Sequence, residues 1–127
     1  MTTIDKLQNI LKETLRLGQS IWYDGLISKE EFFRMIEEDG LRGATTNPTI
    51  FEKALFSGDY DARLKKLAAT YTEEEIYKTL AVAEVQQIAD VFLPLYQETN
   101  GRDGFVSIEV SPLLAYDTLR DCLKGKK

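Results

Sequence analysis

The sequence contains no histidine and only one cysteine, Cys122. Without histidine it lacks the commonest metal ligand and the side chain that titrates nearest to neutral pH, and a single cysteine excludes an internal disulfide or a cysteine-rich metal centre. No apolar run approaches the roughly 18 residues that a membrane span needs, and the N-terminal segment MTTIDKLQN lacks the apolar stretch of a secretory signal. These absences predict a cytoplasmic protein that binds no metal and enters no membrane.

The size and charge of the chain narrow the class of protein further. The formal net charge of -5 at pH 7 argues against nucleic acid as the main partner, because phosphate binding depends on clustered lysine and arginine. The chain has 127 residues, of which 43% are hydrophobic, and this is enough to form an apolar core. We expect residues 1–127 to form a single domain.

Three short apolar runs predict β-strands, and each precedes a stretch with helical spacing. They lie in the segments QSIWYD, RGATTN and FVSIEV, with the strands expected at residues 20–23, 43–46 and 105–110. Strands that alternate with helices form parallel sheets, because right-handed crossovers place successive strands side by side. The sequence therefore predicts an α/β fold in which about three parallel strands, in the order 1-2-3 and covered by helices on one face, form part of a (β/α)8 TIM barrel.

Boundary signals place the first two helices. The first is expected at residues 3–17 and ends at Gly18, which suits the left-handed position that closes a helix. Ser28, with Glu31 three residues later, predicts a capping box that starts the second helix, and Gly40 ends it. The predicted buried positions of this second helix are Phe32, Phe33 and Ile36.

Residues 49–96 show helical spacing almost throughout, in three successive stretches. Pro48 suits the first helical position because its missing N–H would have no partner there. The pair Thr72 and Glu75 predicts a second capping box, which starts the long helix that the segment QETNGRDG ends. A turn at Ser111 leads from the third strand into a last short stretch.

A polar residue closes each of the three apolar runs: Asp24, Asn47 and Glu109. The carboxyl ends of the strands form the rim of a barrel, where reactive groups converge, so the trio predicts part of an active site. Along the third strand, Val106 and Ile108 share one face and Glu109 lies on the other. If helices cover the first face, Glu109 points into the barrel.

Each of these polar residues also has a purely structural interpretation. Asp24 before Gly25 is typical of a turn, Asn47 before Pro48 is typical of a helix N-cap, and Glu109 could lie in water on an exposed sheet face. The neighbouring residues that such an interpretation assigns to strand formation or to core packing are Thr45, Thr46, Trp22 and Tyr23.

Four segments, read together, resemble one enzyme family. They are QSIWYD, EDGLRGATTNPTIFEKAL, VQQIADVFLPLY and GFVSIEVSPLLAYDT, in this order, and they are similar to the N-terminal part of transaldolases of the long-chain type. The resemblance implies an enzyme of the pentose phosphate pathway that moves a dihydroxyacetone unit from a ketose phosphate to an aldose phosphate. It also implies a Schiff base on a lysine, with neither a metal nor an organic cofactor.

On the matching positions, the resemblance assigns a role to each polar strand end. Asp24 is the expected general acid/base for the donor hydroxyl, and Glu109 is the expected relay of protons, through a water, while the carbinolamine forms and dehydrates. Asn47 is expected to hydrogen-bond the bound dihydroxyacetone fragment, and Thr45 to support substrate binding. Sugar phosphates are thus the expected small-molecule partners.

The Schiff-base lysine of the family belongs to a later strand, in a segment resembling NVMIKVP that this sequence does not contain. We therefore expect an N-terminal fragment that is inactive alone. The alternatives are half of a split transaldolase that a second chain completes, or a non-enzymatic module that self-associates or binds a protein. Because three strands leave two open sheet edges, we expect either a homo-oligomer or a complementing C-terminal chain.

Overall fold

Strands and helices alternate along the chain as the sequence predicts. The computed structural model describes residues 3–109, with side chains described from residue 10 onwards, so the stretch predicted after Ser111 lies outside the described residues. Within residues 3–109 no helix is long and apolar enough to span a membrane. The elements are α1 (Thr3–Arg16), β1 (Trp22–Asp24), α2 (Lys29–Arg34), a π-helical segment (Met35–Asp39), β2 (Gly43–Thr45), α3 (Pro48–Leu55), α4 (Asp61–Ala68), α5 (Glu73–Glu98) and β3 (Phe105–Ser107).

The three strands form one parallel sheet in the order β1-β2-β3, which confirms the predicted order. Each strand is shorter than predicted, and β3 ends at Ser107, where the carbonyl accepts a hydrogen bond of 2.6 Å from the Thr46 hydroxyl. The carbonyl of the last strand residue is therefore hydrogen-bonded to a side chain. Residue 110, the predicted end of this strand, lies outside the described residues. The rows across the sheet are Trp22, Gly43 and Phe105; Tyr23, Ala44 and Val106; and Asp24, Thr45 and Ser107.

Helices cover one face of the sheet, and the core lies on that face. Tyr23 and Val106, from the middle row, pack against the buried cluster, which confirms the alternation predicted for the third strand. The ring of Phe32 lies edge-on to two others, with its centroid 5.8 Å from that of Tyr23 and 5.7 Å from that of Phe92. The buried cluster consists of Phe32, Leu41, Ala44, Ile88, Phe92 and Leu95.

The helix after Ser28 begins where predicted but packs differently. The Ser28 hydroxyl accepts a hydrogen bond of 3.2 Å from the Glu31 N–H, whereas the Glu31 carboxylate binds Arg34 at 2.6 Å, so only half of the predicted capping box forms. Phe32 is fully buried, but Phe33 is 60% exposed, so the prediction that both are buried is wrong. Consecutive helical residues point about 100° apart, and a core on one side can take only one of them.

A π-helical turn continues α2 and ends at Gly40, which has a φ of 74° and confirms the predicted helix end. Hydrogen bonds in a π-helix join residues five apart, so the turn brings Arg34 and Asp39 onto the same side. Their side chains approach to 3.3 Å, and Asp39 is buried. Ile36, in the same turn, packs against the core as predicted.

The helical region after β2 forms three helices, as the three stretches of helical spacing predict. α3 begins at Pro48, as predicted. α5 begins with the complete capping box: the Thr72 hydroxyl accepts from the Glu75 N–H at 3.3 Å, and the Glu75 carboxylate accepts from the Thr72 N–H at 2.9 Å. Arg63 of α4 binds Glu84 of α5 at 3.3 Å, so an ion pair holds these two helices together.

Candidate active site

The carboxyl end of the sheet carries the row of Asp24, Thr45 and Ser107, on the face opposite the helix-packed core. We call this face, with the row of Trp22 and Gly43 beneath, the open face. The Thr45 hydroxyl donates a hydrogen bond of 2.8 Å to Oδ1 of Asp24, its register partner. The structure therefore brings together two of the predicted site residues.

Asn47 follows β2 and starts α3. Its Oδ1 accepts a hydrogen bond of 3.0 Å from the N–H of Ile50, which confirms the helix-capping interpretation. The cap uses only the amide oxygen and leaves the two N–H donors of the side chain for other partners. Asn47 lies two residues after Thr45, at the same edge of the sheet. Capping and ligand binding are therefore compatible, because they use different atoms.

Glu109 lies two residues beyond the end of β3, so it does not belong to the strand as predicted. Its side chain is exposed. Burial raises the pKa of Tyr77 on α5, and the negative charge of Glu109 raises it further, so the Glu109 carboxylate lies near the helix layer. Within the described residues no hydrogen bond or ion pair joins Glu109 to Asp24 or Asn47. The structure therefore brings Glu109 to the same end of the sheet but not into contact with them.

Trp22 lies across Gly43 in the row beneath Asp24. A Cβ at Gly43 would be 2.6 Å from the indole atoms Cδ2 and Cε2 and 2.9 Å from the carbonyl oxygen of Phe105, so only glycine leaves room for the ring. Trp22 is nevertheless 39% exposed. Trp22 therefore packs against the backbone at Gly43 and does not belong to the buried core, so the core-packing interpretation is wrong for this residue.

A chain of hydrogen bonds fixes the indole from the amino side of the sheet. The Trp22 Nε1–H donates to Oγ of Ser20 at 2.9 Å, and the Ser20 hydroxyl donates to Oδ1 of Asp103 at 2.7 Å. Oδ2 of Asp103 lies 4.0 Å from Nε of Arg42. Ser20 and Asp103 could not be paired from the sequence because they are 83 residues apart, and no local pattern links them.

The open face offers acid–base and hydrogen-bonding groups. No cluster of three or more potential metal ligands forms in the part of the chain that the structure describes. The described lysines lie on helices and none at the end of a strand. The carboxylate can take up a proton, and the hydroxyl and the amide can hydrogen-bond a polar ligand. The lysines predicted to be solvated are indeed exposed: Lys53, Lys65, Lys66 and Lys78.

A parallel sheet of three strands with helices on one face defines the class of protein, an α/β fold that forms part of a barrel. The sequence model of the family described as transaldolase/fructose-6-phosphate aldolase matches residues 21–127. The chain belongs to this family.

Three curated relatives show how much of such a protein the chain represents. It is 44% identical over 116 residues to a transaldolase of Trichodesmium erythraeum (strain IMS101), covering 87% of this chain and 30% of that protein. It is 42% identical over 118 residues to a transaldolase of Thiobacillus denitrificans (strain ATCC 25259 / T1), covering 87% and 32%. For transaldolase 2 of Streptomyces coelicolor the identity is 40% over 127 residues, covering 95% and 34%. The chain thus spans about a third of the length of these relatives.

Proposed function

We propose that this chain contributes Asp24, Thr45, Asn47 and Glu109 to the active site of a transaldolase, which transfers a dihydroxyacetone unit between sugar phosphates. The observation that carries the proposal is the hydrogen bond of 2.8 Å between Thr45 and Asp24 at the carboxyl edge of the sheet. A strand residue that served only as a turn former would need no such partner.

The hydrogen bond from Thr45 suits Asp24 to act as the general base of the reaction. Because Oδ1 accepts a hydrogen bond from the Thr45 hydroxyl, the carboxylate is oriented and Oδ2 is left for a ligand. In the proposed reaction Oδ2 takes the proton from the donor hydroxyl as the adjacent carbon–carbon bond breaks. The electron pair of that bond passes to the iminium of the Schiff base. Thr45 is then the positioning residue for this transfer.

Asn47 and Glu109 serve the same reaction at other atoms. The free N–H donors of Asn47 hydrogen-bond an oxygen of the dihydroxyacetone fragment, while its oxygen caps α3. The carboxylate of Glu109 is exposed and so accessible to water, which suits the proposed relay during formation and dehydration of the carbinolamine.

The reacting lysine, in this proposal, lies on a further strand that pairs with an open edge of the sheet. Residues 1–127 then act as one domain that a complementing C-terminal chain completes, and the reaction takes place in the cytoplasm, as the single cysteine suggests. The edges of β1 and β3, each unpaired on one side within the described residues, support this arrangement.

The proposal is tested by complementation. The chain is mixed with the part of the Trichodesmium relative that lies beyond the matched third, and turnover of fructose 6-phosphate with erythrose 4-phosphate is followed by a coupled assay. We expect turnover by the mixture and none by either part, with borohydride trapping an adduct on the added part. Asp24→Asn abolishes turnover, and Asp90→Asn, on the exposed side of α5, leaves it unchanged. Turnover by this chain alone, or an adduct on one of its lysines, contradicts the proposal, as does an inactive complex.

A second candidate is a module that self-associates. The observation that favours it is the exposure of Trp22, at 39%, and of Phe105, at 46%, beside unpaired strand edges. Light scattering at micromolar concentration should then show a dimer or a larger assembly. A monodisperse monomer of 14.5 kDa that binds no hydrophobic dye would show that the chain covers this surface itself.

A further inference from the structure

We propose that the indole of Trp22 is the floor of the active site, on which the carbon atoms of the dihydroxyacetone unit pack while Asp24 and Asn47 hold its oxygen atoms. The inference rests on the proposed function and goes beyond it, since neither the polar strand ends nor the comparisons with known proteins give Trp22 a role. It follows from the position, the support and the orientation of the ring.

The position of the ring comes from the strand. Side chains two residues apart on a strand point to the same face, roughly 6.6 Å from one another along it. Trp22 and Asp24 therefore share the open face, with the indole one row beneath the carboxylate. A short ligand that Asp24 holds by an oxygen brings its carbon atoms towards this row.

The support of the ring comes from Gly43. Because this position of β2 has no side chain, the indole lies across the neighbouring strand instead of standing away from the sheet. One side of the ring lies against Gly43, and 39% of the residue remains exposed. The side chain of Trp22 thus extends across β1 and β2, beneath Asp24 and Thr45.

The orientation of the ring comes from Ser20. Ser20 precedes Trp22 in the chain, so the bond from Nε1–H to its hydroxyl turns the only polar atom of the indole away from the carboxyl edge. The bond from Ser20 to Asp103 then fixes the serine itself. What the ring presents towards Asp24 is therefore hydrocarbon.

An apolar floor beneath a polar edge selects one class of ligand. Binding pockets combine apolar and aromatic walls with a few placed polar groups that fix orientation. A short polyol or keto-polyol, with oxygens on one side and C–H groups on the other, matches both parts. The ring also sets the depth of the site, so a longer fragment cannot extend below Asp24.

The test uses the chain itself with dihydroxyacetone as the probe. Trp22 is the only tryptophan, so its fluorescence reports this position alone. Binding is measured independently by saturation-transfer NMR on the C–H protons of the ligand. We expect dihydroxyacetone to change the emission of Trp22 and to receive saturation from the protein, and Asp24→Asn to remove both effects.

Variants separate contact with the ring from a general structural role. Trp22→Ala should weaken binding roughly three- to tenfold, the usual worth of one aromatic contact, and Trp22→Phe should restore most of the affinity. Ser20→Ala frees the ring without removing it and should give a smaller loss. Phe56→Ala, which truncates an aromatic side chain that is 83% exposed beyond α3, is the matched control and should change nothing. Circular dichroism checks that each variant is folded. If Trp22→Ala does not fold, the affinity of Ser20→Ala tests the contact with the ring instead.

The outcomes distinguish this inference from the function on which it rests. Binding that depends on Asp24 but leaves the emission of Trp22 unchanged, with equal affinity in Ser20→Ala, overturns the floor and leaves the proposed function standing. No binding, or binding that is equal in Asp24→Asn, also overturns the floor, whereas the proposed function is overturned only by the complementation assay described above.

Discussion

The two faces of the same three strands differ in almost every physical respect. On the helix-covered face, Tyr23 and Val106 join a closed apolar cluster in which Phe32 has no exposed surface. On the open face, Asp24 and Thr45 hydrogen-bond each other above a half-exposed indole. Because side chains alternate along a strand, a residue that packs in the core is next in sequence to one that faces the candidate site. Truncations on the covered face should therefore mainly change unfolding, and changes to the polar groups of the open face should mainly change binding or turnover.

The largest effect should come from Phe32→Ala on the covered face. Phe32 is fully buried between Tyr23 and Phe92, so its loss leaves a cavity and lowers the free energy of unfolding by about 3 to 5 kcal/mol. Phe33→Ala, next to it in sequence but 60% exposed, should cost less than about 1 kcal/mol. Urea denaturation measures both. Equal losses would mean that the exposed ring is covered in solution.

Gly43→Ala should be the most destabilising change on the open face. The new Cβ meets Trp22 at 2.6 Å and the Phe105 carbonyl at 2.9 Å, and such overpacking costs about 2 to 3 kcal/mol. The emission of Trp22 should shift as the ring moves outward. Adding Trp22→Leu to Gly43→Ala should recover part of the lost stability, but not all, because the clash with the backbone remains. A Gly43→Ala variant as stable as the parent would show that the ring does not lie across this position.

Thr45 and Thr46 are adjacent in sequence but lie on opposite faces, so they allow the two faces to be compared directly. Thr46→Val removes the buried hydroxyl that donates to the Ser107 carbonyl and should lower the free energy of unfolding by about 1 to 2 kcal/mol. Thr45→Val should change stability by less than about 1 kcal/mol, since this side chain is only partly buried. In the complemented enzyme, however, Thr45→Val should reduce kcat about tenfold, the equivalent of one hydrogen bond to a charged group. The opposite pattern would reverse the assignment of the two hydroxyls.

The smallest effect concerns the helix layer at high pH. Burial raises the pKa of Tyr60 to about 12, and the charge of Glu84 and a hydrogen bond to it add to the shift. A tyrosine whose pKa is raised on folding contributes stability below its unfolded pKa of about 10, and this is lost as pH rises towards the folded value. Unfolding measured from pH 9 upwards should therefore show a shallower loss in Tyr60→Phe than in the parent. Parallel curves would mean that Tyr60 ionises as freely as it does in the unfolded chain.

The parts of the fold that depend on neighbouring residues could be predicted from the sequence. The capping box of Thr72 and Glu75, the helix end at Gly40 and the alternation at Val106 each depend on a few adjacent residues, and all three form. The strand order followed from the handedness of crossovers, which needs no knowledge of packing.

The choices between competing partners, and the contacts between distant residues, could not be predicted. The Glu31 carboxylate is three residues from both Ser28 and Arg34, so the local pattern allows either bond and the structure has the one to Arg34. The hydrogen bond from the Thr46 hydroxyl to the Ser107 carbonyl joins residues 61 apart, which no local pattern links. For the same reason the polar strand ends could be named from the sequence, but the hydrogen bond between Thr45 and Asp24 could not.

The separation of the paired strands along the chain also sets the order in which the sheet forms. Asp24 and its partner Thr45 are 21 residues apart, whereas Thr46 and Ser107 are 61 apart. Closing the longer loop costs about 1 kcal/mol more in chain entropy, so β1, α2 and β2 form the earlier unit. During synthesis the N-terminal residues also leave the ribosome first. The carboxylate of Asp24 can therefore be oriented by Thr45 before the ribosome has translated β3.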